Sequence, residues 1–152
     1  MKIAEALLLR ADILKKSASL RIRIGQNAVV QQGDEPHEEP TKLIEEAFSL
    51  LKEYESLVFR INRANMHNML PDGRSLTQAI AHRDTIAAQH SLLQHAIENT
   101  QKDPDRYSRT EIKWVATLKV GNLQKQSEDL AKKIRELNAA IQETNWKVEL
   151  EE

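Results

Sequence analysis

TEIKWVATLKVGNLQKQSEDLAKKIRELNAAIQE, residues 110–143, decides the fold. Within it Ala116, Val120, Leu123, Ser127, Leu130, Ile134, Leu137 and Ile141 recur at alternating steps of four and three. That spacing lays them along one helical stripe. The residues between them are mostly polar or charged, as on the solvent side of such a helix. The stretch predicts a long amphipathic helix that needs a packing partner. It predicts no reaction.

The same alternation recurs upstream. A first helix is expected from about Ile3 to about Val29, with Leu7, Ala11, Leu14, Ala18 and Ile22 on one face and Leu8, Leu9 and Ile13 widening it. Residues 20–24 also alternate like a strand, but no partner strand lies nearby and a lone strand leaves its edges unsatisfied. Residues 32–41 form a polar loop with Gly33, Pro36 and Pro40. Pro40 suits the first turn of the next helix, where its missing N–H costs nothing. The second helix, about 41–67, carries Leu43, Ala47, Leu50, Tyr54, Leu57, Ile61 and Ala64 on its seam. It ends among Asn62, Asn65 and Asn68, with Arg60, Arg63 and His67.

Pro71-Asp72-Gly73 is a turn signal. Ser75 with Gln78 then matches a capping box, opening a third helix to about Asn99. Leu76, Ile80, Arg83, Ala87, His90 and Ile97 trace its face, with Leu93 beside it. Arg83 on an apolar face must snorkel or find a partner, and Asp84 points about 100° away. Ser108 with Glu111 gives the organising helix a capping box. After it, Asn145-Trp146 leads into a final helical turn or an extended tail whose Trp146, Val148 and Leu150 pack on a neighbour. The expected fold is all-α: one domain, residues 1–152, an antiparallel four-helix bundle with long second and fourth helices.

Composition narrows the function classes. With no cysteine there is no disulfide framework and no thiolate chemistry. A net charge of −1 gives no global field favouring nucleic acid or an anionic membrane. Glu5, Arg10 and Asp12 interrupt the early apolar patch too soon for a secretory or spanning segment, so a cytoplasmic protein is expected. Residues 1–30 are mainly basic and residues 31–60 mainly acidic, which suits complementary neighbours or two solvated faces.

Arg60-Ile61-Asn62-Arg63-Ala64-Asn65, Ser75-Leu76 with Ala81-His82-Arg83-Asp84, Arg109-Thr110-Glu111-Ile112-Lys113, and Gln142 with Asn145-Trp146 together give the chain a familiar look. It resembles the small bacterial family labelled septicolysin, along nearly its whole length. The resemblance implies an all-helical cytoplasmic protein. The cytolysin activity in that label finds no counterpart in these residues: there is no long alternating hairpin and no hydrophobic span.

In an up-down bundle the ends of the second and fourth helices share one pole with the start of the third. Asn62, Asn65, Arg83, Asn145 and Trp146 are therefore the candidate site, an amide-rich pocket with one cation and one aromatic wall for a small polar or anionic ligand. The competing role for the same residues is a hydrogen-bonded cap network. No metal is expected: Glu45-Glu46 and Glu128-Asp129 diverge on a helix, and no Glu-x-x-His pair exists. No cofactor is expected either, since no glycine-rich phosphate cradle is present. Nucleic acid is disfavoured, for few aromatics are available to stack on bases. The leading expectation is a self-associating structural or interaction module, most simply a two-fold dimer with a coiled-coil-like seam. The alternative is a ligand-binding protein or enzyme using the polar junction.

Overall fold

The computed structural model describes residues 1–101 and 113–151. Among them lie four helices: α1 (Ile3–Asn27), α2 (Pro40–His67), α3 (Leu76–Asn99) and α4 (Val120–Lys147). The fold is all-α, with α1 antiparallel to α2 and α3 antiparallel to α4. As the sequence predicts, α2 and α4 are the longest, at 28 residues each. The chain divides into two compact units, Met1–Leu76 with Gln142–Glu152, and Thr77–Ile141.

In the first unit, the Glu5 carboxylate accepts the Lys2 N–H at 2.7 Å, which fixes the start of α1. At the other end, the buried Asn27 amide donates to the Arg23 carbonyl at 2.9 Å and accepts the Glu38 N–H at 3.0 Å. One side chain thus stops α1 and anchors the approach to α2. Gly33, at φ +97°, turns the loop between them. Pro40 opens α2, as expected. Lys16 pairs with Glu46 at 3.1 Å and Arg23 with Glu38, so the late part of α1 lies beside the early part of α2. The basic and acidic segments complement each other directly at these two pairs.

The hydrogen bond from Arg23 holds Glu38 below its ordinary value of 4.5. A depressed carboxylate contributes stability that is present above its unfolded pKa and lost as pH falls through the folded one. Glu38→Gln is therefore expected to lower the urea midpoint at pH 7. The gap to the parent protein should close as the solution is acidified below 4.5. A gap independent of pH would contradict the pairing.

The α2 seam is the expected one: Leu43, Leu50, Leu57, Ile61 and Ala64 are buried, with Ala47 and Tyr54 half-buried. The α1 seam differs from the expected face. Ile3, Ala6, Ile13 and Leu20 are buried, Arg10, Ser17 and Ile24 are half-buried, and Leu14 and Ile22 lie exposed. Small and polar seam residues disguised the true stripe, while the more apolar neighbouring one faces water.

In the second unit, Gln94 Nε2 donates to Ser127 Oγ at 2.6 Å between α3 and α4. Ala79, Ile86 and Ile97 are buried on α3, whereas Ala87, expected on that face, is exposed. The organising helix begins at Val120, later than expected, with Lys119 O accepting from Asn122 N and Leu123 N. Residues 113–119 are exposed and non-helical, and Ala116 is among them. Trp114, Val115 and Thr117 are aromatic or β-branched, which lowers helix propensity there. The Ser108–Glu111 capping box lies outside the described residues. From Leu123 to Ile141 the expected seam holds, with Ser127, Leu137 and Ile141 buried.

The two hairpins repeat one another. Pro40 corresponds to Val120 and His67 to Lys147, a constant shift of 80 positions. Leu43, Leu50, Leu57, Ile61 and Asn65 recur as Leu123, Leu130, Leu137, Ile141 and Asn145. Ile3 corresponds to Leu76, a shift of 73 that α3 keeps throughout. Ala6, Arg10, Ile13, Leu20 and Ile24 recur as Ala79, Arg83, Ile86, Leu93 and Ile97. The backbone repeats too. After α2, Leu70 N donates to Arg74 O at 2.8 Å and Leu76 N to Asn68 O at 2.9 Å. After α4, Leu150 N donates to Met1 O at 2.9 Å and Ile3 N to Val148 O at 3.0 Å. The same clasp is closed covalently through Pro71-Asp72-Gly73 in one case and by hydrogen bonds alone in the other.

Candidate functional site

The ends of α2 and α4 carry the polar residues singled out in the sequence. Asn62 is exposed on α2 and Asn65, one turn on, is half-buried. Asn145 on α4 is buried, and Trp146 beside it is 54% exposed. These four belong to the first unit. The side-chain oxygens of Asn65 and Asn145 are both buried without a donor. They occupy equivalent positions in the two hairpins, so the fold makes the same unfilled acceptor twice. An unsatisfied buried acceptor costs about 1–3 kcal/mol unless water or a ligand supplies a proton.

Arg83 belongs to the second unit. It is half-buried, and it pairs with Asp84, Nε and Nη2 lying 2.9 Å and 2.7 Å from Oδ1. The sequence expectation was that Asp84 points away from it. The long guanidinium arm crosses the angular gap between adjacent helical positions, so the partner is the next residue.

The tail settles the conformation left open by the sequence. α4 runs through Lys147, and residues 148–150 then extend, with Glu149 bridged to Lys2. Leu150 is buried and Val148 half-buried. Lys2 Nζ lies 2.9 Å from the Glu149 carboxylate, which holds that carboxyl below its usual range. Arg60 Nε donates to the Glu151 carbonyl at 3.1 Å, and Arg63 lies 3.6 Å from the Glu151 carboxylate. The tail thus lies over the basic end of α2, in a shallow recess also lined by His67 and Asn68. Pro71-Asp72-Gly73 turns as predicted, with Gly73 at φ +83° and Asp72 accepting the Arg74 N–H at 3.0 Å.

One feature escaped the sequence reading. Ile44, Phe48, Leu51, Phe59 and Met66 are 38%, 64%, 44%, 64% and 64% exposed. With Glu55 and Asn62 they form a second four-three stripe on α2, about 100° round from the buried seam. The signal was in the spacing, but the Leu43–Ala64 seam already explained the helix.

The family model described as "Family of unknown function (DUF6847)" matches residues 10–150. The chain belongs to this family. A solved structure, described as a functionally unknown conserved protein from Corynebacterium diphtheriae, is 34% identical. The match covers 99% of each chain with a TM-score of 0.91. A comparison with curated proteins found no match. The resemblance drawn from the sequence holds at this coarser level, a conserved all-helical bacterial family, and not under the septicolysin label. No helix among the described residues of this DUF6847 chain is long and apolar enough to cross a membrane.

The second DUF6847 hairpin also carries a groove of about 430 Å³, lined by Gln89, Leu92, Leu93, Gln126, Leu130 and Lys133 among others. In the first hairpin, Lys16 and Glu46 stand at the positions of Gln89 and Gln126 and form an ion pair.

Proposed function

We propose that this protein is a self-associating interaction module, a cytoplasmic helical scaffold that works as a homo-oligomer, most simply a dimer. The observation that carries the reading is the exposed apolar stripe of Ile44, Phe48, Leu51, Phe59 and Met66 on α2. Contiguous apolar surface of this kind marks interaction sites on soluble proteins. A second reading, a small polar-ligand site around Asn62, Asn65, Asn145 and Trp146, is favoured by the two buried amide oxygens without donors.

Native mass spectrometry with sedimentation velocity on the purified chain tests both. The expected result is a dimer mass with concentration-dependent dissociation. A monomer at every concentration would overturn the first reading. A small molecule that remains bound to the protein, and is lost on Asn145→Ala, would instead establish the second.

A further inference from the structure

The two hairpins provide an internal control for what the fold requires. At positions buried in both α2 and α4, Leu57 agrees with Leu137 and Ile61 with Ile141, while Ala64 stands for Thr144. On the outer stripe they part. Ile44, Phe48, Leu51 and Phe59 stand opposite Gln124, Glu128, Ala131 and Ala139. Only Met66, matched by Trp146, keeps a large apolar side chain at the equivalent position. A helix of the same length, in an equivalent hairpin, therefore folds without an apolar outer stripe. The residues on α2 serve something beyond folding.

The charge along α2 indicates what covers them. Beside the outer stripe, Glu45 stands near its start and Arg63 near its end. A second α2 running antiparallel about Glu55 brings Glu45 of each copy toward Arg63 of the other, whereas a parallel copy opposes like with like. A two-fold axis perpendicular to the helices generates this antiparallel packing, and it closes after two copies.

We infer that the outer face of α2 is a homodimer interface, in which Ile44, Phe48, Leu51, Phe59 and Met66 pack against the same residues of a second, antiparallel copy about an axis near Glu55. The assignment rests on the self-association proposed above and specifies its face and direction. Ile44 then meets Met66 of the other copy, and Leu51 meets Phe59. The two Glu55 carboxylates approach one another at the axis, which tempers the affinity.

The chain contains no cysteine, so a single introduced thiol reports on the axis without background. Glu55→Cys is expected to form a disulfide-linked dimer under mild oxidation. Arg135→Cys, at the equivalent position of α4, should stay unlinked at the same concentration. Phe48→Glu combined with Phe59→Glu, both at exposed positions, should weaken dimerisation by more than about tenfold, equivalent to ~1.4 kcal/mol, with the circular dichroism spectrum unchanged. A dimer that forms normally, with cross-linking at residue 135 and none at residue 55, would overturn the assigned face while leaving self-association standing. A parent protein that is monomeric throughout would overturn both.

Discussion

Shortening Ile61 to alanine is expected to lower the unfolding free energy by about 2–5 kcal/mol. Ile61 is 2% exposed and sits where the α2 seam is continuous, between Leu57 at 3% and Ala64 at 8%. Removing its branched end leaves a void that helical neighbours on either side cannot fill by moving, because their own side chains are held in the same seam. Its counterpart Ile141, 3% exposed at the equivalent position of α4, should respond comparably. Phe48→Ala, by contrast, removes a larger ring from an exposed position and should change monomer stability by less than about 0.5 kcal/mol. Urea denaturation of the three variants at one protein concentration, low enough to hold the monomer, is the measurement. A loss below 1 kcal/mol at Ile61, or a larger loss at Phe48 than at Ile61, would mean that the two faces of α2 have been assigned the wrong way round.

Deleting residues 148–152 should be comparably damaging, although it removes no helix. Leu150 is 6% exposed and Ile3, beside the tail, is fully buried. Burying a leucine contributes about 1.5–3 kcal/mol. The deletion also strips three backbone hydrogen bonds, Ile3 N to Val148 O, Leu150 N to Met1 O and Val148 N to Thr144 O, each worth about 0.5–1.5 kcal/mol. The Lys2–Glu149 pair goes with them, as does the cover over Arg60 and Arg63. The truncated chain should unfold several degrees lower and show early amide exchange in the first turn of α1. Leu150→Ala is the milder control, expected to reproduce the apolar part of the loss alone. If the full deletion leaves the melting temperature untouched, the tail is an ornament and the repeat of the clasp has no energetic meaning.

Much of this fold was legible because each long helix has one seam at helical spacing. α2 and the greater part of α4 were readable since Leu43, Leu50 and Leu57, or Leu123, Leu130 and Leu137, stand out among charges. Pro40 opens α2 and Ser75 directly precedes α3, so both helix starts fall where the local signals place them. α1 was harder. Its buried stripe includes Arg10 and Ser17, while Leu14 and Ile22 on the competing stripe are exposed. Hydrophobicity alone ranks those two faces in the wrong order, because interfaces between closely packed helices accept small residues and snorkelling stems. The start of α4 was placed too early for a related reason. Periodicity survives through Ala116, but Trp114, Val115 and Thr117 resist the helix that the spacing suggests.

The candidate site was legible only in part. Four of its residues fall at helix ends by their spacing, whereas the donor-free oxygens of Asn65 and Asn145 depend on packing that spacing does not encode. The repeat was hidden for a different reason. The hairpins agree at scattered positions, mostly along the seams, and differ elsewhere, so no continuous run of identical residues advertises it.

The twin clasp separates the order of the chain from the geometry of its backbone. Leu70 and Arg74 are joined by three residues, and Leu150 lies against Met1 through the same kind of hydrogen bond with nothing joining them. The two clasps thus share one backbone geometry, whether or not a turn closes them. A permuted chain, beginning at Arg74, bridging Leu150 to Met1 with Pro-Asp-Gly and stopping at Leu70, would keep each helix and both clasps.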